Sequence, residues 1–580
     1  MEKIKKLIAA IKSKDFFRSL QSPTTTKIDL NCLDCKVDLM DDSGYLAFGI
    51  CSACGHKDTL SAKQWVNMLF DKESFDEKFL NIESPDPLHF NDQKAYKDRI
   101  KMAKESTGEQ AAVSTGLTEI KGIKVIAAIF DFKFMGGSMG YAVGEKITSA
   151  IDKSISMKLP LVVVTCSGGA RMQEGTLALA QMIKTTNAIN KLHAVNLPMI
   201  CILANPTTGG VYASFANQAD ILIAEKEALI GFAGPRVRAV NTDEQDRLLA
   251  EEIYHNGLID EILSRQDMRN YLERVLNLIS PNQIEISSDQ LIPQATESEN
   301  KSSGWDSVQK SRDINRPSSK EYIDNIFSDF IELRGDRTGV DDKVLIGGFA
   351  KLALKNVMVI AQDRNAGTSD ITRGRVSAAG YRKATRLINL ANRLRLPIIC
   401  FVDTPGANDS IENEKIGLAK AISDTIASLS QVTVETVSLI IGEGGSGGAI
   451  ALCCTDKVLM QENAFLAITS PEGAASILYR DKKYTEDIAN ALGITASDHK
   501  SLGFVDEIIA EPNNEATRNH KEAARLLFNA LTNSLINLQK INVQKRMQAR
   551  NDKWENLGKN NKFSGRIQRL FLGITRNIRI

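Results

Sequence analysis

Two residue patterns in this chain have the spacing to do chemistry. Cys32, Cys35, Cys51 and Cys54 form C-x2-C-x15-C-x2-C, two knuckles able to deliver four thiolates to tetrahedral zinc. A four-thiolate site leaves no position for a substrate, so the expected role of that zinc is structural. The second pattern is paired glycine after an apolar run. "TCSGGARMQEG" carries Gly168 and Gly169, "NPTTGGVYAS" carries Gly209 and Gly210, "DTPGAND" carries Gly406, and "GEGGSGGAIA" carries Gly447 and Gly448. Glycines that end a strand before a helix leave backbone N–H groups unpaired and let a ligand approach without a Cβ in the way. Such amides suit an oxygen on which negative charge develops.

Other chemistry is excluded by the same strings. "GGSGG" around Ser446 satisfies G-x-S-x-G. In a run this rich in glycine the match is nearly free, and of the downstream histidines only His499, in polar "SDHKS", stands in a suggestive setting, so a serine hydrolase is set aside. No P-loop string occurs at a strand end, and the glycine-dense run 442–448 is not read as a dinucleotide fingerprint.

The elements that must position these glycines are short apolar strands alternating with amphipathic helices, the pattern of an α/β fold. A helix around 145–157 leads to "LPLVVVTCSGGA" and one around 381–394 leads to "LPIICFVDTPGA". About forty residues later each half offers another strand and a glycine pair, followed by small residues, an aspartate and a further strand. The chain therefore reads as two copies of one domain. Its predicted divisions are a basic helix over 1–27, a zinc ribbon over 28–60, a first domain over 61–280, a polar linker over 281–304, a second domain over 305–512 and a helical tail over 513–580. Residues 65–110 read as polar and helical.

Composition sets the class. With 43% hydrophobic and 25% charged residues and a net charge of +1, nothing global favours nucleic acid or a membrane surface. The longest apolar runs are strand-sized, so no membrane span is expected. The N-terminal segment lacks the apolar core and cleavage site of a secretion signal. The remaining cysteines, Cys166, Cys201, Cys400, Cys453 and Cys454, lie in apolar runs and read as buried thiols of a cytoplasmic protein.

The longer motifs resemble a known family. A zinc ribbon followed by "FKFMGGSMG", "SGGARMQE", "GGVYASFA" and "ALIGFAGPRV" is similar to the β subunit of the bacterial acetyl-CoA carboxylase carboxyltransferase. "GDRTGVDDKVLIGGFA", "GYRKATRL", "DTPGA", "IGEGGSGGA" and "SPEGAASIL" resemble its α subunit. The resemblance covers 28–265 and 305–512 and implies two tandem crotonase-like (ClpP/crotonase) domains.

It also implies an activity: transfer of a carboxyl group from carboxybiotin to acetyl-CoA, giving malonyl-CoA for fatty acid or polyketide synthesis. On this reading Gly168, Gly169, Gly209 and Gly210 serve the thioester, and Gly406, Gly447 and Gly448 serve biotin. Arg171 and Arg236, taken as surface residues, are candidates for the CoA phosphates. Carboxybiotin would arrive on a separate biotin carboxyl carrier protein, charged by a separate ATP-dependent biotin carboxylase, and the fusion would act as a homodimer equivalent to α2β2. Thr208 stands where the family often has Met, which implies an altered acyl pocket. A carboxyltransferase for another acyl-CoA such as propionyl-CoA, and a zinc-ribbon nucleic-acid-binding protein, are the competing readings.

Overall fold

The computed structural model describes residues 30–233, 248–280, 302–367 and 372–559. The predicted helix over 1–27, nearly all of the linker over 281–304, the basic end of the tail and Arg236 lie outside the described residues. The chain divides into two compact units, Met1–His255 with Ile259–Leu276 and Asn256–Leu258 with Asn277–Ile580.

In the first unit, β1 (Asp76–Lys78), β2 (Val113–Ile120), β3 (Ile123–Phe130), β4 (Leu161–Ser167), β5 (Met199–Thr208), β6 (Ile221–Glu225) and β8 (Glu261–Leu263) follow one another across a single sheet, with β7 (Ile230–Gly231) beside β5. The first two pairings are antiparallel and the rest parallel. β4 is buried along its whole length, which is why it reads as the unbroken apolar run "LVVVTCS" rather than as an alternation. Helix α1 (Ala62–Leu69) opens on a capping box made by Ser61 and Gln64. Helices α2 (Tyr141–Met157) and α3 (Thr176–Ala194) make the crossovers on either side of β4. The buried stripe of α2 includes Val143, Ile147, Ala150 and Ile151, spaced so that one helical face meets the sheet.

The second unit repeats the plan. Strands β9 (Phe330–Glu332), β10 (Leu345–Leu352), β11 (Lys355–Gln362), β13 (Ile398–Thr404), β15 (Thr436–Gly445), β16 (Lys457–Gln461) and β18 (Glu507–Ile509) form its sheet, with β17 (Phe465–Ala467) beside β15. A separate pair joins β12 (Arg375–Val376) to β14 (Gly406–Ala407). Helix α5 (Ser319–Ile326) carries the capping box of Ser318 and Glu321, and α6 (Ala378–Leu394) and α7 (Leu418–Gln431) make the crossovers.

The repeat extends to single hydrogen bonds. The Asp220 carboxylate accepts from Met199 N at 2.8 Å and Asp456 from Thr436 N at 2.8 Å. Asp260 accepts from Leu222 N at 2.9 Å and Asp506 from Val458 N at 2.7 Å. Each aspartate satisfies an amide at the start of a parallel strand, where the ladder supplies no acceptor. Both α2 and α6 end on a left-handed basic residue, Lys158 and Arg395.

Three expectations are corrected. The stretch 65–110 is not mainly helical: it holds the end of α1, strand β1 and a helix over Tyr96–Thr107, with irregular chain around Pro85 and Pro87, which cannot donate to a helix or ladder. The linker ends before residue 304, because Ser303 and Asp306 close a capping box on the helix Gly304–Ser311. The start of the tail is core rather than appendage. Helix α9 (His520–Gln539) buries Leu527, Leu531 and Leu535 against Val357, Val437 and Leu459 of the sheet. Helix α10 (Val543–Asn556) buries Arg546 and Arg550, whose guanidiniums reach Asp456 and nearby carbonyls.

Candidate active site

Each glycine turn follows a break in register at the end of a parallel strand. The β4–β5 register shifts between Thr165 and Ser167, and the β13–β15 register shifts between Val402 and Thr404. Past the break Ser167 faces Thr207 and Thr404 faces Gly444, so the two strands of each unit deliver their turns to one place. In the first unit the turns touch through bare backbone. A Cβ on Gly169 would lie 3.2 Å from the Gly209 Cα, and one on Gly209 would lie 2.9 Å from the Gly169 Cα. In the second unit a Cβ on Gly445 would meet the Pro405 carbonyl at 2.2 Å, and one on Gly448 would meet Ala407 N at 2.6 Å. Glycine is required at these contacts because two main chains occupy the space of a side chain.

The register also corrects the matching of the halves. Thr207 pairs with Ile230 and Gly444 with Leu466, which sets Gly209 against Ser446 and Gly210 against Gly447. Gly448 therefore corresponds to Val211, not to a glycine. Gly209 and Ser446 both hold left-handed backbone, with φ of 61° and 55°.

Not every predicted amide is open. Gly168 N–H donates to Gly136 O at 2.9 Å, Gly169 N–H to Ser167 Oγ at 3.0 Å, and Gly406 N–H to Thr404 Oγ1 at 3.0 Å. These three glycines shape the turns but have spent their donors within them. Gly209 and Gly210 open the short helix α4 (Gly209–Tyr212), and Gly447 and Gly448 lie in the first turn of α8 (Ser446–Ile450). Neither start has a side-chain cap, so these amides have no capping side chain and fall among the first-turn N–H groups that a helix leaves unpaired. The Gly448 carbonyl is held from behind by Gln362 Nε2 at 2.8 Å and Tyr381 OH at 3.1 Å.

Arg171 is not a surface residue. Its side chain is fully buried, with Nη1 3.5 Å from Glu174 Oε1. Nε donates to Ser138 Oγ at 3.0 Å, Nη1 to Ser84 Oγ at 2.9 Å, and Nη2 to Ser138 O at 2.8 Å. Glu174 accepts from Tyr96 OH at 2.5 Å and from Tyr141 N at 2.5 Å. The guanidinium thus has no face for a CoA phosphate and instead braces the turn that carries Gly169. Thr208 is also buried, its hydroxyl donating to Ser167 O at 3.2 Å, so it ties the two turns together.

Behind the turns of the second unit lies a charged cluster. Arg312 grips Glu443 with Nε–Oε2 of 2.9 Å and Nη2–Oε1 of 2.6 Å and reaches Glu472 at 2.8 Å. Asp403, one residue before Thr404, accepts from Glu443 N at 3.0 Å and faces Arg364 Nε at 3.4 Å. Burial pushes the Asp403 carboxyl up to about 7, with Arg364 opposing the rise. Glu174 and Glu443, which lie in the strings that carry the glycines, are both committed to arginine.

The four cysteines converge. Their Sγ atoms all lie within 4.8 Å of one another, with Cys32–Cys54 at 3.5 Å and Cys35–Cys51 at 3.7 Å. Thiolates at about 2.3 Å from a tetrahedral ion lie about 3.8 Å apart, so the donor set fits one metal ion. Each knuckle returns on a left-handed residue, Lys36 or Gly55, with Lys36 N donating to Cys32 O and Gly55 N to Cys51 O. Arg265 fastens this ribbon to the sheet: Nε reaches Glu225 at 2.7 Å, Nη1 the Phe48 carbonyl at 2.7 Å, and Nη2 the Asp58 carbonyl at 2.9 Å.

Sequence reasoning missed Arg265, Tyr96 and Asp403, and it weighed Ser446 only as a nucleophile. A left-handed serine leaves a trace only once the halves are aligned by register. The others are ordinary polar residues whose partners lie far away in the chain.

Known proteins resemble this chain over most of its length. The family model described as acetyl co-enzyme A carboxylase carboxyltransferase-like matches residues 258–558. The acetyl-coenzyme A carboxylase carboxyl transferase subunits beta/alpha of Clostridium tetani is 40% identical over 516 residues, 88% of this chain and 89% of that protein. Its counterpart from Natranaerobius thermophilus is 37% identical over 91% of each chain. Among solved structures, transcarboxylase 12S with methylmalonyl-coenzyme A and methylmalonic acid bound matches with a TM-score of 0.64 at 23% identity, over 82% of this chain and 90% of that one. A single-chain, multi-domain long-chain acyl-CoA carboxylase matches with a TM-score of 0.61 over 80% of this chain and 46% of that one. These structural likenesses bear on the fold, and they agree with two crotonase-like domains in tandem. Both relatives are named for the beta and alpha subunits together, and it is to these fused β/α acetyl-coenzyme A carboxylase carboxyl transferases that the chain belongs.

Proposed function

We propose that this protein transfers a carboxyl group from carboxybiotin to acetyl-CoA, forming malonyl-CoA. The observation that carries the reading is the paired delivery of turns in both units, at the same register break and with uncapped helix starts at Gly209 and Ser446. The reaction breaks a nitrogen–carbon bond of carboxybiotin and forms a carbon–carbon bond at the acetyl methyl. The methyl proton ends on the biotin nitrogen, so the chain needs no side-chain base. Negative charge collects on the thioester oxygen and on the ureido oxygen. In our reading the amides of Gly209 and Gly210 receive the first and those of Gly447 and Gly448 the second. Amides fixed in advance cost no reorganisation when the charge appears, and loss of one such donor costs about 2.7–4 kcal/mol of transition-state stabilisation.

Biotin would be presented by a separate carrier protein and recharged by a separate biotin carboxylase, with the product feeding fatty acid or polyketide synthesis. The four-cysteine site would hold zinc as a structural ion. Apolar side chains left open in each unit, Met172 and Phe232 at 80% and 72% exposure in the first and Ile468 at 80% in the second, fit surfaces covered by a second copy of the chain. Among the described residues no helix is long and apolar enough to cross a membrane.

The test is incubation of the purified protein with malonyl-CoA and biocytin. Acetyl-CoA should form only when both are present. Methylmalonyl-CoA offered in place of malonyl-CoA tests the propionyl-CoA alternative; absence of transfer from either donor overturns the reading.

A further inference from the structure

The two units differ at the places where the repeat is otherwise closest. The turn that unit one builds with Gly209 is built in unit two with Ser446, at φ of 55°. Left-handed backbone in a residue with a Cβ costs on the order of 1–3 kcal/mol, a cost that glycine avoids. Ser446 is exposed, and among the described residues its hydroxyl has no hydrogen-bond partner. A Cβ on its neighbour Gly447 would meet nothing within 4 Å, so the hydroxyl stands beside open space.

The second difference lies across the turn. Arg375 pairs with Gly406 in the short ladder of β12 and β14, and Ser138, next to the Met139–Ala170 bridge, holds the same position in unit one. Arg375 Nη1 lies 3.6 Å from where a Gly406 Cβ would be, and that point is 3.8 Å from the Gly445 carbonyl. Arg375 is half-buried, and among the described residues its guanidinium has neither an ion pair nor a hydrogen bond. Among the described residues, unit two therefore places an unpaired cation and an unpaired hydroxyl around a turn where unit one has a serine held by Arg171 and a bare glycine.

We propose that Arg375 and Ser446 bind the carboxylate that the donor carries. This rests on the assignment of unit two to carboxybiotin. The asymmetry matches the chemistry: a thioester is neutral, whereas N-carboxybiotin brings a carboxylate that must be held until its bond to nitrogen breaks. A guanidinium suits a planar carboxylate, and a serine hydroxyl can donate a further hydrogen bond to it. Retention of serine at a strained position follows if its hydroxyl is used.

The experiment follows malonyl-CoA formation from a biotinylated carrier protein kept carboxylated by biotin carboxylase, ATP and bicarbonate. Arg375→Met, Ser446→Ala and Ser446→Gly are compared with the parent. Each should lower kcat/KM for the carboxylated carrier by roughly ten- to a hundredfold, the loss expected for one hydrogen bond to a charged group. The KM for acetyl-CoA and inhibition by uncarboxylated carrier should stay within twofold, and Arg375→Lys should recover part of the loss. Ser446→Gly should also raise the thermal midpoint, because it removes the strained Cβ. If Ser446→Gly and Arg375→Met transfer within twofold of the parent, the inference is wrong while the carboxyltransferase reading stands. If the parent itself makes no malonyl-CoA, the broader reading fails first. If uncarboxylated carrier weakens in parallel with the carboxylated form, the residues hold the biotin ring or the carrier rather than the carboxylate, and the inference is again wrong.

Discussion

The Arg171 guanidinium lies 3.5 Å from the Glu174 carboxylate, and neither side chain reaches solvent. Two buried charges stay ionised at little net cost only while each retains its partner and its hydrogen bonds. Replacing Arg171 with Met leaves Glu174 buried and uncompensated, with Tyr96 OH and Tyr141 N as its remaining donors. The expected loss is about 3–5 kcal/mol, read as a shift of the urea unfolding curve of the first unit. Replacing Arg171 and Glu174 together should cost less than Arg171→Met alone. A double variant no more stable than the single one would contradict the pairing.

The glycines separate into those that let backbones touch and those that face open space. Gly169→Ala places a Cβ 3.2 Å from the Gly209 Cα at a φ of 109°, so either the turn moves or the residue is strained. Both stability and transfer should fall, the first by about 1–3 kcal/mol. Gly447→Ala meets nothing within 4 Å and sits in a helical turn, so the fold should be unharmed or slightly stabilised. Its methyl would still stand where donor approaches, and transfer to biocytin should drop roughly tenfold or more, since small misplacements at a reacting centre are costly. Thermal midpoints and the malonyl-CoA assay, run on the same two variants, distinguish these effects.

A metal ion at the four cysteines would hold the ribbon together, and Arg265 ties it to the sheet. Among the described residues its apolar cluster is Cys32, Leu39 and Cys51 with Leu30 and Tyr45 against it, too little to hold a fold without an ion. Stripping the metal with a chelator should open residues 30–60 to protease while leaving the protease resistance of the second unit unchanged. Arg265→Ala should leave metal content unchanged, because the four Sγ atoms are untouched. It strips Glu225, itself 2% exposed, of its ion pair and should destabilise the first unit by about 3–5 kcal/mol. Metal analysis together with urea unfolding measures both parts.

How far this molecule could be read from its residues depended on whether the relevant physics was local. The buried strand β4 announces itself because a parallel strand covered on both faces must be apolar throughout. The cysteine spacing is equally local, since each knuckle closes within a few residues. Arg171 could not be placed in this way. Its burial depends on Ser84, Tyr96 and Ser138, which come from three separate segments, and an arginine without its partners in view looks solvated. The one-residue offset between the glycine pairs was hidden for another reason. By eye the pairs "GG" align, but a register break in the sheet decides which residue reaches the left-handed corner, and it is Ser446. The same limit applies to Gly168, Gly169 and Gly406. Their strings suggest open amides, while the hydroxyls of Ser167 and Thr404 and the carbonyl of Gly136 occupy them.

Asp403 gives the second unit a pH dependence with a definite sign. In an unfolded chain an aspartate titrates near 3.9, whereas burial beneath the Gly406 turn raises the folded value to about 7. Between about pH 4 and pH 7 the folded protein keeps a proton that the unfolded chain has released, so this group's contribution to stability declines as pH rises through that window. Below the window the contribution is complete, and above it the carboxylate is charged in both states and the decline stops. Arg364, 3.4 Å away, favours the charged form and limits the size of the effect without reversing it. Asp403→Asn keeps the shape and an acceptor for Glu443 N but cannot ionise, so the difference in stability between parent and variant should change with pH across the window by up to about 1.4 kcal/mol per unit. Urea midpoints of both proteins at pH 5, 6, 7 and 8 measure it. A difference that does not vary with pH would mean that Asp403 is ionised throughout, held so by Arg364 despite its burial.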